Sequence, residues 1–332
     1  MKIDVHTHFI PPQFIDDARQ GRALNHIRLE RRQDTEWVIH PQGYKYPLAA
    51  EFWDMEAKLR QMDKLGLNVS ILSISPTLFF YWADAQSTGE FCQLANEMVA
   101  QFAAQSGGRL YGMATVPLQD PAAAATELHR AVTRLGLRGV EIGTVMEHVP
   151  LDDPRFEPFF SAAEELDVPV MLHPYYVGPK PQLADFYMTN LIGNPLDTTI
   201  AAARLILSGC LDRHPKLKIV LVHAGGFLSF QIGRLDHGFA VRTETRANIK
   251  RPPSAYLNRF YVDTITHANL PLKFLIDLFG RDNVVIGTDL PFDMADTHFT
   301  ERLSFANLDA ATANAIHSQN AIRVFGLGTS MQ

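Results

Sequence analysis

The sequence predicts an α/β protein folded as a (β/α)8 TIM barrel, and three observations carry that prediction. Short apolar, β-branched runs recur eight times along the 332 residues. Amphipathic or alanine-rich stretches separate them, which is the alternation expected of parallel βαβ units. Several runs, such as Ile219-Val220-Leu221-Val222, are apolar at every position, as strands buried on both faces must be. Eight such units favour closure into a barrel over an open sheet, and the length suits one barrel of roughly 250 residues plus insertions. Residues 1–332 are therefore read as a single barrel domain.

In chain order, the predicted strands span residues 2–9, 69–75, 110–116, 139–144, 169–173, 218–223, 260–265 and 283–289. Helices are predicted over 55–65, 91–104, 121–135, 156–165, 198–211, 228–237 and 270–279. Two stretches break the rhythm. Residues 11–50 are polar and aromatic, with His26, Trp37, His40, Tyr44 and Tyr46, and predict a small insertion or lid after the first strand. Residues 175–194 are rich in Pro, Gly and Tyr and follow the fifth strand. Loops after barrel strands surround the active site, so both insertions are expected to shape a substrate pocket.

Composition narrows the function classes. Hydrophobic residues make up 46% and charged residues 20%, as in an ordinary globular protein. The formal net charge is −6 and no Lys/Arg run stands out, so neither nucleic acid nor a polybasic membrane contact is expected. No stretch of about 18 apolar residues suggests a membrane span. Met1 leads straight into a strand-like run, so no secretion signal is expected. Cys92 and Cys210 fit no disulfide framework or cysteine-based zinc motif and read as reduced thiols of a cytoplasmic protein.

The chemistry sits at strand ends. In Asp4-Val5-His6-Thr7-His8, the two histidines are two residues apart and would face the same way on a strand, where paired imidazoles suit a divalent metal. Val170-Met171-Leu172-His173-Pro174 and Val220-Leu221-Val222-His223-Ala224-Gly225-Gly226 each close an apolar strand on a histidine. Val284-Val285-Ile286-Gly287-Thr288-Asp289-Leu290-Pro291 closes the eighth on an acid. Taken singly, each fits a polar residue capping a strand. Together they place five metal-competent side chains at the C-terminal ends of strands one, five, six and eight, where barrel enzymes carry their catalytic residues.

This set resembles the amidohydrolase superfamily. Pro117-Leu118-Gln119-Asp120-Pro121, Ile206-x-Ser208-Gly209, His223-Ala224-Gly225-Gly226, Gly233-Arg234-Leu235-Asp236, Arg251-Pro252-Pro253-Ser254 and Gly287-Thr288-Asp289-x-Pro291-Phe292 further resemble its branch of 2-amino-3-carboxymuconate-6-semialdehyde decarboxylases and dihydroxybenzoate-type decarboxylases. The resemblance covers nearly the whole chain, strongly from the third strand onward and weakly over residues 11–50. It implies that His6, His8, His173 and Asp289 bind one divalent metal with water in an open position. It implies that His223 is the base or polarising group for that water, and that Arg234 grips a substrate carboxylate, across a dimer interface in one version. The plain alternative for Arg234 is a surface ion pair with Asp236 or an acid of a neighbouring helix.

Two positions depart from that branch. An arginine expected before Trp53-Asp54 falls near Lys45-Tyr46, so Lys45 is the candidate carboxylate contact, supplying charge without a guanidinium's fork. Glu141 replaces a glutamine on the fourth strand. Pointing inward, it would be an additional ligand of a second metal. Paired with Arg138 or a ligand histidine, it would be a supporting residue. Phe292 is a candidate to pack on a substrate ring. Tyr175, Tyr176, Tyr187, Trp82 and residues 79–81 would line the pocket or simply pack, and Asp263 would orient a ligand or bond within the barrel.

The resemblance thus implies a metal-dependent, non-oxidative decarboxylase of a small unsaturated or aromatic carboxylic acid, with His223 and Asp289 in the catalytic machinery. Zinc is the first expectation for the metal and manganese the second, with no organic cofactor. The alternative is a hydrolase or hydratase acting on an ester, lactone, amide or C=C bond through a metal-bound hydroxide. A homodimer is implied by the resemblance alone.

Overall fold

Eight parallel strands frame the molecule: β1 Ile3–Phe9, β2 Val69–Ile74, β3 Leu110–Gly112, β4 Val140–Gly143, β5 Pro169–His173, β6 Lys218–Leu221, β7 Phe260–Asp263 and β8 Val284–Val285. They are the eight predicted runs with trimmed ends. The computed structural model describes residues 1–43, 45–175 and 181–328, so Tyr44 and the pocket candidate Tyr176 lie outside the described residues. Strands pair in the order β1-β2-β3 and β8-β7-β6-β5-β4, all parallel. Two seams join these ladders. Ala114, just past β3, bridges Val140, while Asp4 and Thr7 of β1 bridge Ile286 and Leu290, just past β8. Val5 N donates to Ile286 O at 2.9 Å and His8 N to Leu290 O at 2.7 Å. The sheet therefore closes on itself as the predicted barrel.

β1 carries one irregularity that matters for the site. Its register with β2 slips between Asp4 and Thr7, where three residues advance against two. Such a bulge re-aims side chains. Ile3 and Val5 join the apolar interior of the barrel, while His6 and His8 lie above them, all wholly buried. Asp4 secures the bulge, accepting the His6 backbone N–H at 3.0 Å and the Thr288 hydroxyl at 2.7 Å.

The outer helices are α1 Met55–Leu65, α2 Ala85–Ala104, α3 Pro121–Thr133, α4 Glu157–Glu165, α5 Asn194–Leu207, α6 Leu228–Val241 and α7 Asn269–Phe279. Aspartates start three of them by accepting otherwise orphaned N–H groups: Asp54 for α1, Asp84 for α2 and Asp120 for α3. The Asp84 cap explains why α2 begins at Ala85, before the predicted residue 91. The helix predicted over 198–211 instead stops at Leu207. Gly209, at φ 75°, turns the chain, and a side chain there would meet the Asn248 carbonyl oxygen at 2.7 Å.

Two apolar cores hold these layers. The larger fills the space between strands and helices; the smaller lies inside the barrel, where Ala321, Val324 and Phe325 of the last helix and Leu327 just after it pack against Ile3, Val69, Met171 and Val285. That plug closes the N-terminal end of the barrel and leaves the C-terminal ends of the strands as its mouth. Beside the mouth, the first insertion folds as helix Pro12–Arg19 and a three-stranded antiparallel sheet, Arg28–Arg32, Thr35–Ile39 and Lys45–Pro47. The second contributes, among its described residues, the turn Pro181–Leu183 and the π-helical turn Thr189–Gly193 that runs into α5.

The turn after β6 is tightly constrained. Gly226 has φ 64°, and a Cβ there would sit 2.1 Å from the Pro195 carbonyl oxygen at the start of α5. Gly226→Ala is expected to cost about 2–4 kcal/mol, combining backbone strain with a steric clash. Denaturant unfolding checks this; an unchanged midpoint would mean that α5 yields to the added methyl.

Candidate metal centre

The barrel brings His6, His8, His173 and Asp289 together. One donor atom from each lies within 4.8 Å of the other three, and all four residues are buried. The imidazole rings of His6, His8 and His173 stand 5.0–5.2 Å apart, centroid to centroid, with their planes nearly perpendicular. His223 completes the group at 5.4 Å from His6 and 5.0 Å from His173. The five strand-end residues selected from sequence thus share one site.

Each ligand ring is held by its other nitrogen. His6 Nδ1 donates to Asp263 Oδ2 at 2.8 Å, and His173 Nδ1 to the Pro174 carbonyl at 2.6 Å. His8 Nδ1 has weaker partners, the Ile74 carbonyl at 3.4 Å and Ser73 Oγ at 3.3 Å. In these tautomers all three Nε2 lone pairs face inward, as metal-bound histidines require. Nε2 of His6 and of His8 lie 3.2 Å apart, and His8 Nε2 lies 2.9 Å from Asp289 Oδ1. Nε2 of His173 is buried with no hydrogen-bond partner. Lone pairs crowded this way repel unless a shared proton or a cation lies among them, and three imidazoles and a carboxylate fit a divalent cation. Nitrogen and oxygen donors of this kind suit zinc and manganese alike.

Electrostatics sorts the groups. Burial alone would depress the His6 imidazole, but the bond to Asp263 and the charges of Asp289, Asp263 and Glu141 outweigh it and hold it at about 9. Burial drives His8 down to about 4, and His173 falls well below the usual histidine range, pressed further by the neighbouring imidazoles. Burial opposes ionisation of Asp289, yet bonds to His223 and His8 and the charge of His6 hold it well below the usual carboxylate range. Its two oxygens divide the site: Oδ1 faces His8 and His6, and Oδ2 lies 3.6 Å from His223 Nε2.

His223 differs from the three clustered histidines. Its backbone is left-handed, at φ 53°, as is that of Asp289, at φ 62°. A non-glycine residue in that region carries strain that its surroundings must hold. Asp263 accepts the His223 and Ala224 N–H groups at 3.0 and 2.7 Å, and Asp289 N donates to the His6 carbonyl at 2.8 Å. The His223 side chain is 16% exposed and its Nδ1 is unpartnered.

The remaining sequence candidates fall in different places. The half-buried Phe292 ring stands 5.2 Å from the His8 ring, against Phe52 and Tyr46. Glu141 is wholly buried on β4 with both carboxyl oxygens unpaired, and burial pushes it up to about 8. It is outside the convergent set of four, and Arg138 Nε is itself unpartnered, so the Glu141–Arg138 pairing does not form. Lys45 is exposed, and strand alternation turns the next residue, Tyr46, inward instead. Arg234 is exposed on α6; Asp236 accepts the Ser254 N–H at 2.9 Å rather than pairing with it. Tyr81 and Tyr175 are buried and accept the N–H groups of Gly143 and Glu147, with half-buried Trp82 stacked on Tyr175. Tyr187 is exposed and bonds Asp293.

Sequence reasoning missed Lys58. It lies on the buried face of α1 and donates to Thr7 Oγ1 at 3.0 Å and to the His8 carbonyl at 3.2 Å. Its only trace in the sequence is its place beside Ala57 and Met62 on the apolar stripe, too slight a signal to separate it from a solvent lysine.

The chain matches the amidohydrolase family over residues 3–327. It is 29% identical over 330 residues to a 2-amino-3-carboxymuconate-6-semialdehyde decarboxylase of Dictyostelium discoideum, covering 98% of this chain and 92% of that protein. It is 32% identical over 315 residues to a gamma-resorcylate decarboxylase of a Rhizobium species, covering 90% and 95%. Among solved structures it resembles a dihydroxybenzoic acid decarboxylase of a Polaromonas species with bound manganese and the inhibitor 2-nitroresorcinol, with a TM-score of 0.75, 27% identity, and 98% and 97% of the two chains covered.

The electrostatic pattern predicts the proton balance of metal uptake. Near pH 7 the metal-free His6 holds a proton, being raised to about 9, whereas His8 and His173 are already neutral. Zinc binding is expected to release about one proton, because a ligand imidazole must be deprotonated. Titration calorimetry in buffers of different ionisation enthalpy measures this directly. Asp263→Asn should shrink that release and weaken zinc binding about 10–100-fold through loss of the ring's anchor. Undiminished affinity in that variant would show that the Asp263 bond is not needed.

Proposed function

This chain belongs to the amidohydrolase family, and from that premise we propose that it is a metal-dependent, non-oxidative carboxy-lyase acting on a small aromatic or unsaturated carboxylic acid. The observation that carries this reading is the pairing of a four-donor cluster with one further histidine that stays outside it, facing the cluster through Asp289. The three relatives described above are each named as decarboxylases, which supports the same reaction. His6, His8, His173 and Asp289 would hold the cation, zinc as first choice and manganese second, the latter supported by the manganese of the Polaromonas relative. When bound, the cation supplies a Lewis acid that polarises substrate oxygens.

The rest falls to this chain's own side chains. Decarboxylation breaks the bond from carbon to the carboxylate, leaves the electron pair on carbon and consumes one proton there. His223 is placed to move that proton: its Nε2 faces the site across Asp289, and an imidazole can give and take a proton through one nitrogen. One oxygen of Asp289 lies near His223 while the other faces His8 and His6. Phe292 offers a ring face beside His8 for an aromatic substrate.

The assembly we propose is a homodimer. α6 exposes Phe230, 76% accessible, next to Arg234, and Phe186, Leu191 and Ile200 of the neighbouring segment are also exposed. An apolar surface of this kind suits an isologous contact, through which Arg234 would reach the partner's substrate. The described residues include no helix long and apolar enough to cross a membrane. Both cysteines are buried free thiols, and the location we propose on that ground is the cytoplasm.

One observation favours the hydrolytic alternative, the buried and unpaired carboxyl of Glu141. A second cation bound there would bring about two metals per chain. Metal analysis of protein purified without added metal separates the readings: about one equivalent is expected for the decarboxylase, and two would select the hydrolase. With one equivalent bound, aromatic carboxylic acids should release carbon dioxide, and His223→Asn should lose at least ~1,000-fold in kcat while retaining its metal, in keeping with loss of a positioned proton carrier. Metal loss in that variant would make His223 a ligand instead. Arg234→Ala should raise KM about tenfold or more while leaving metal content intact, through loss of a charge-assisted carboxylate contact; an unchanged KM would return Arg234 to the free surface.

A further inference from the structure

We propose that Lys58 is a positioning residue of the metal centre: its buried ammonium ties β1 to the chain just past β8 and so holds the His8 donor opposite that of Asp289. The inference rests on the metal reading of the four-donor cluster and is independent of which bond the enzyme breaks.

The seam it spans is thinly bonded. β8 ends at Val285, and beyond it the pairing with β1 reduces to bridges at Ile286 and Leu290. His8 and Asp289 stand on opposite sides of this seam, yet His8 Nε2 and Asp289 Oδ1 lie 2.9 Å apart. Lys58 reaches the seam from α1 and is 1% exposed. Its Nζ donates to Thr7 Oγ1 at 3.0 Å and to the His8 carbonyl at 3.2 Å. Thr7 Oγ1 donates in turn to the Leu290 carbonyl at 2.9 Å, which also accepts the His8 N–H at 2.7 Å. Ammonium, hydroxyl and carbonyl thus form a relay from α1 through β1 to the residue that follows Asp289.

Counting protons fixes the direction of this relay. An ammonium donates and cannot accept, and a hydroxyl has one proton to give. Thr7 Oγ1 therefore accepts from Lys58 and turns its own proton to Leu290. Among the described residues no carboxylate pairs with the ammonium, so its bonds to these two oxygens must offset its loss of water. His8 is the donor that most needs the support. The rings of His6 and His173 are anchored through Nδ1 at 2.8 and 2.6 Å, whereas His8 Nδ1 has contacts of 3.3 and 3.4 Å. A ring held loosely at its outer nitrogen takes its place from its backbone, and Lys58 grips that backbone at the carbonyl. What Asp263 does for His6 from the ring side, Lys58 does for His8 from the chain. An apolar residue in its place would free the Thr7 hydroxyl to rotate and release the His8 carbonyl, so that the two donors facing each other across the seam could part.

The test is the zinc affinity of metal-stripped protein, measured by competition with a chelating dye, for Lys58→Met, Thr7→Val and the double variant. The thermal midpoint of each metal-free protein checks that it folds as the parent does. Lys58→Met is expected to weaken zinc binding about 10–100-fold, the usual loss when a group behind a metal ligand is removed. Thr7→Val should lose a comparable factor, while Thr7→Ser, which keeps the hydroxyl, should retain the parental affinity. The double variant should bind about as weakly as Lys58→Met alone, because both changes cut one relay. Losses that multiply in the double variant would overturn the clamp, as would parental affinity in Thr7→Val. If Lys58→Met does not fold, the Thr7 variants decide by the same criterion. A parent that binds no zinc would overturn the metal reading and the clamp together, whereas zinc bound within about twofold as tightly by Lys58→Met as by the parent would overturn the clamp alone.

Discussion

One buried carboxylate, Asp263 at the end of β7, sets the geometry on which the site depends. It accepts the His6 ring at 2.8 Å and the backbone N–H groups of His223, Ala224 and Ile265 at 3.0, 2.7 and 3.1 Å. Through those bonds a single side chain holds the ring of one candidate ligand and the strained backbone of the proposed proton carrier. Gly287 makes this possible, since a Cβ there would lie 2.7 Å from Asp263 Cβ and 3.0 Å from His6 Cβ. The charge it carries is also useful: hydrogen bonds from His6 and nearby N–H groups keep Asp263 ionised despite complete burial.

The barrel interior is unusually polar for a buried layer. Asp4, Glu141, Asp263, Asp289 and Lys58 lie in or against it, all essentially inaccessible. Such groups disfavour folding unless they are bonded or neutralised. Asp4 is bonded by His6 N–H and Thr288, while Lys58 takes Thr7 and the His8 carbonyl and burial lowers it to about 8. The apolar layer between strands and helices, together with the plug at the opposite end, supplies the stability that this interior withholds. A polar centre of this kind persists where function requires it, in keeping with the clustering of perturbed groups at active sites.

The first insertion packs against this centre. Its last strand sends Tyr46 inward and leaves Lys45 in solvent, so that hydroxyls and rings, not a lysine, meet Phe292 at the mouth. His40 adds a second attachment of the same insertion, its ring at 5.1 Å from Trp82. Residues distant in sequence thereby form two sets of packed rings, one around Trp82 and Tyr175 and one around Phe292. The metal donors come from the frame of the barrel and these rings from its loops, the usual division between conserved chemistry and variable recognition on this fold.

The periodicity of the strands and the polar residues ending them already determined the barrel and the five-residue cluster. Each of these follows from local rules: apolar runs, a two-residue alternation, and a break at the C-terminal end of each strand. The direction of Lys45 and Tyr46 did not follow, because residues 11–50 form a small sheet whose buried face is chosen by what it packs on, not by its own pattern. Lys58 was invisible for the same reason, since an amphipathic stripe does not say which of its members reaches a carbonyl on another strand. The isolation of Glu141 and the hub at Asp263 were decided only by tertiary structure. Both depend on distances between β4, β7 and β1, side chains brought together across more than a hundred residues, and burial there turns short separations into strong electrostatic effects.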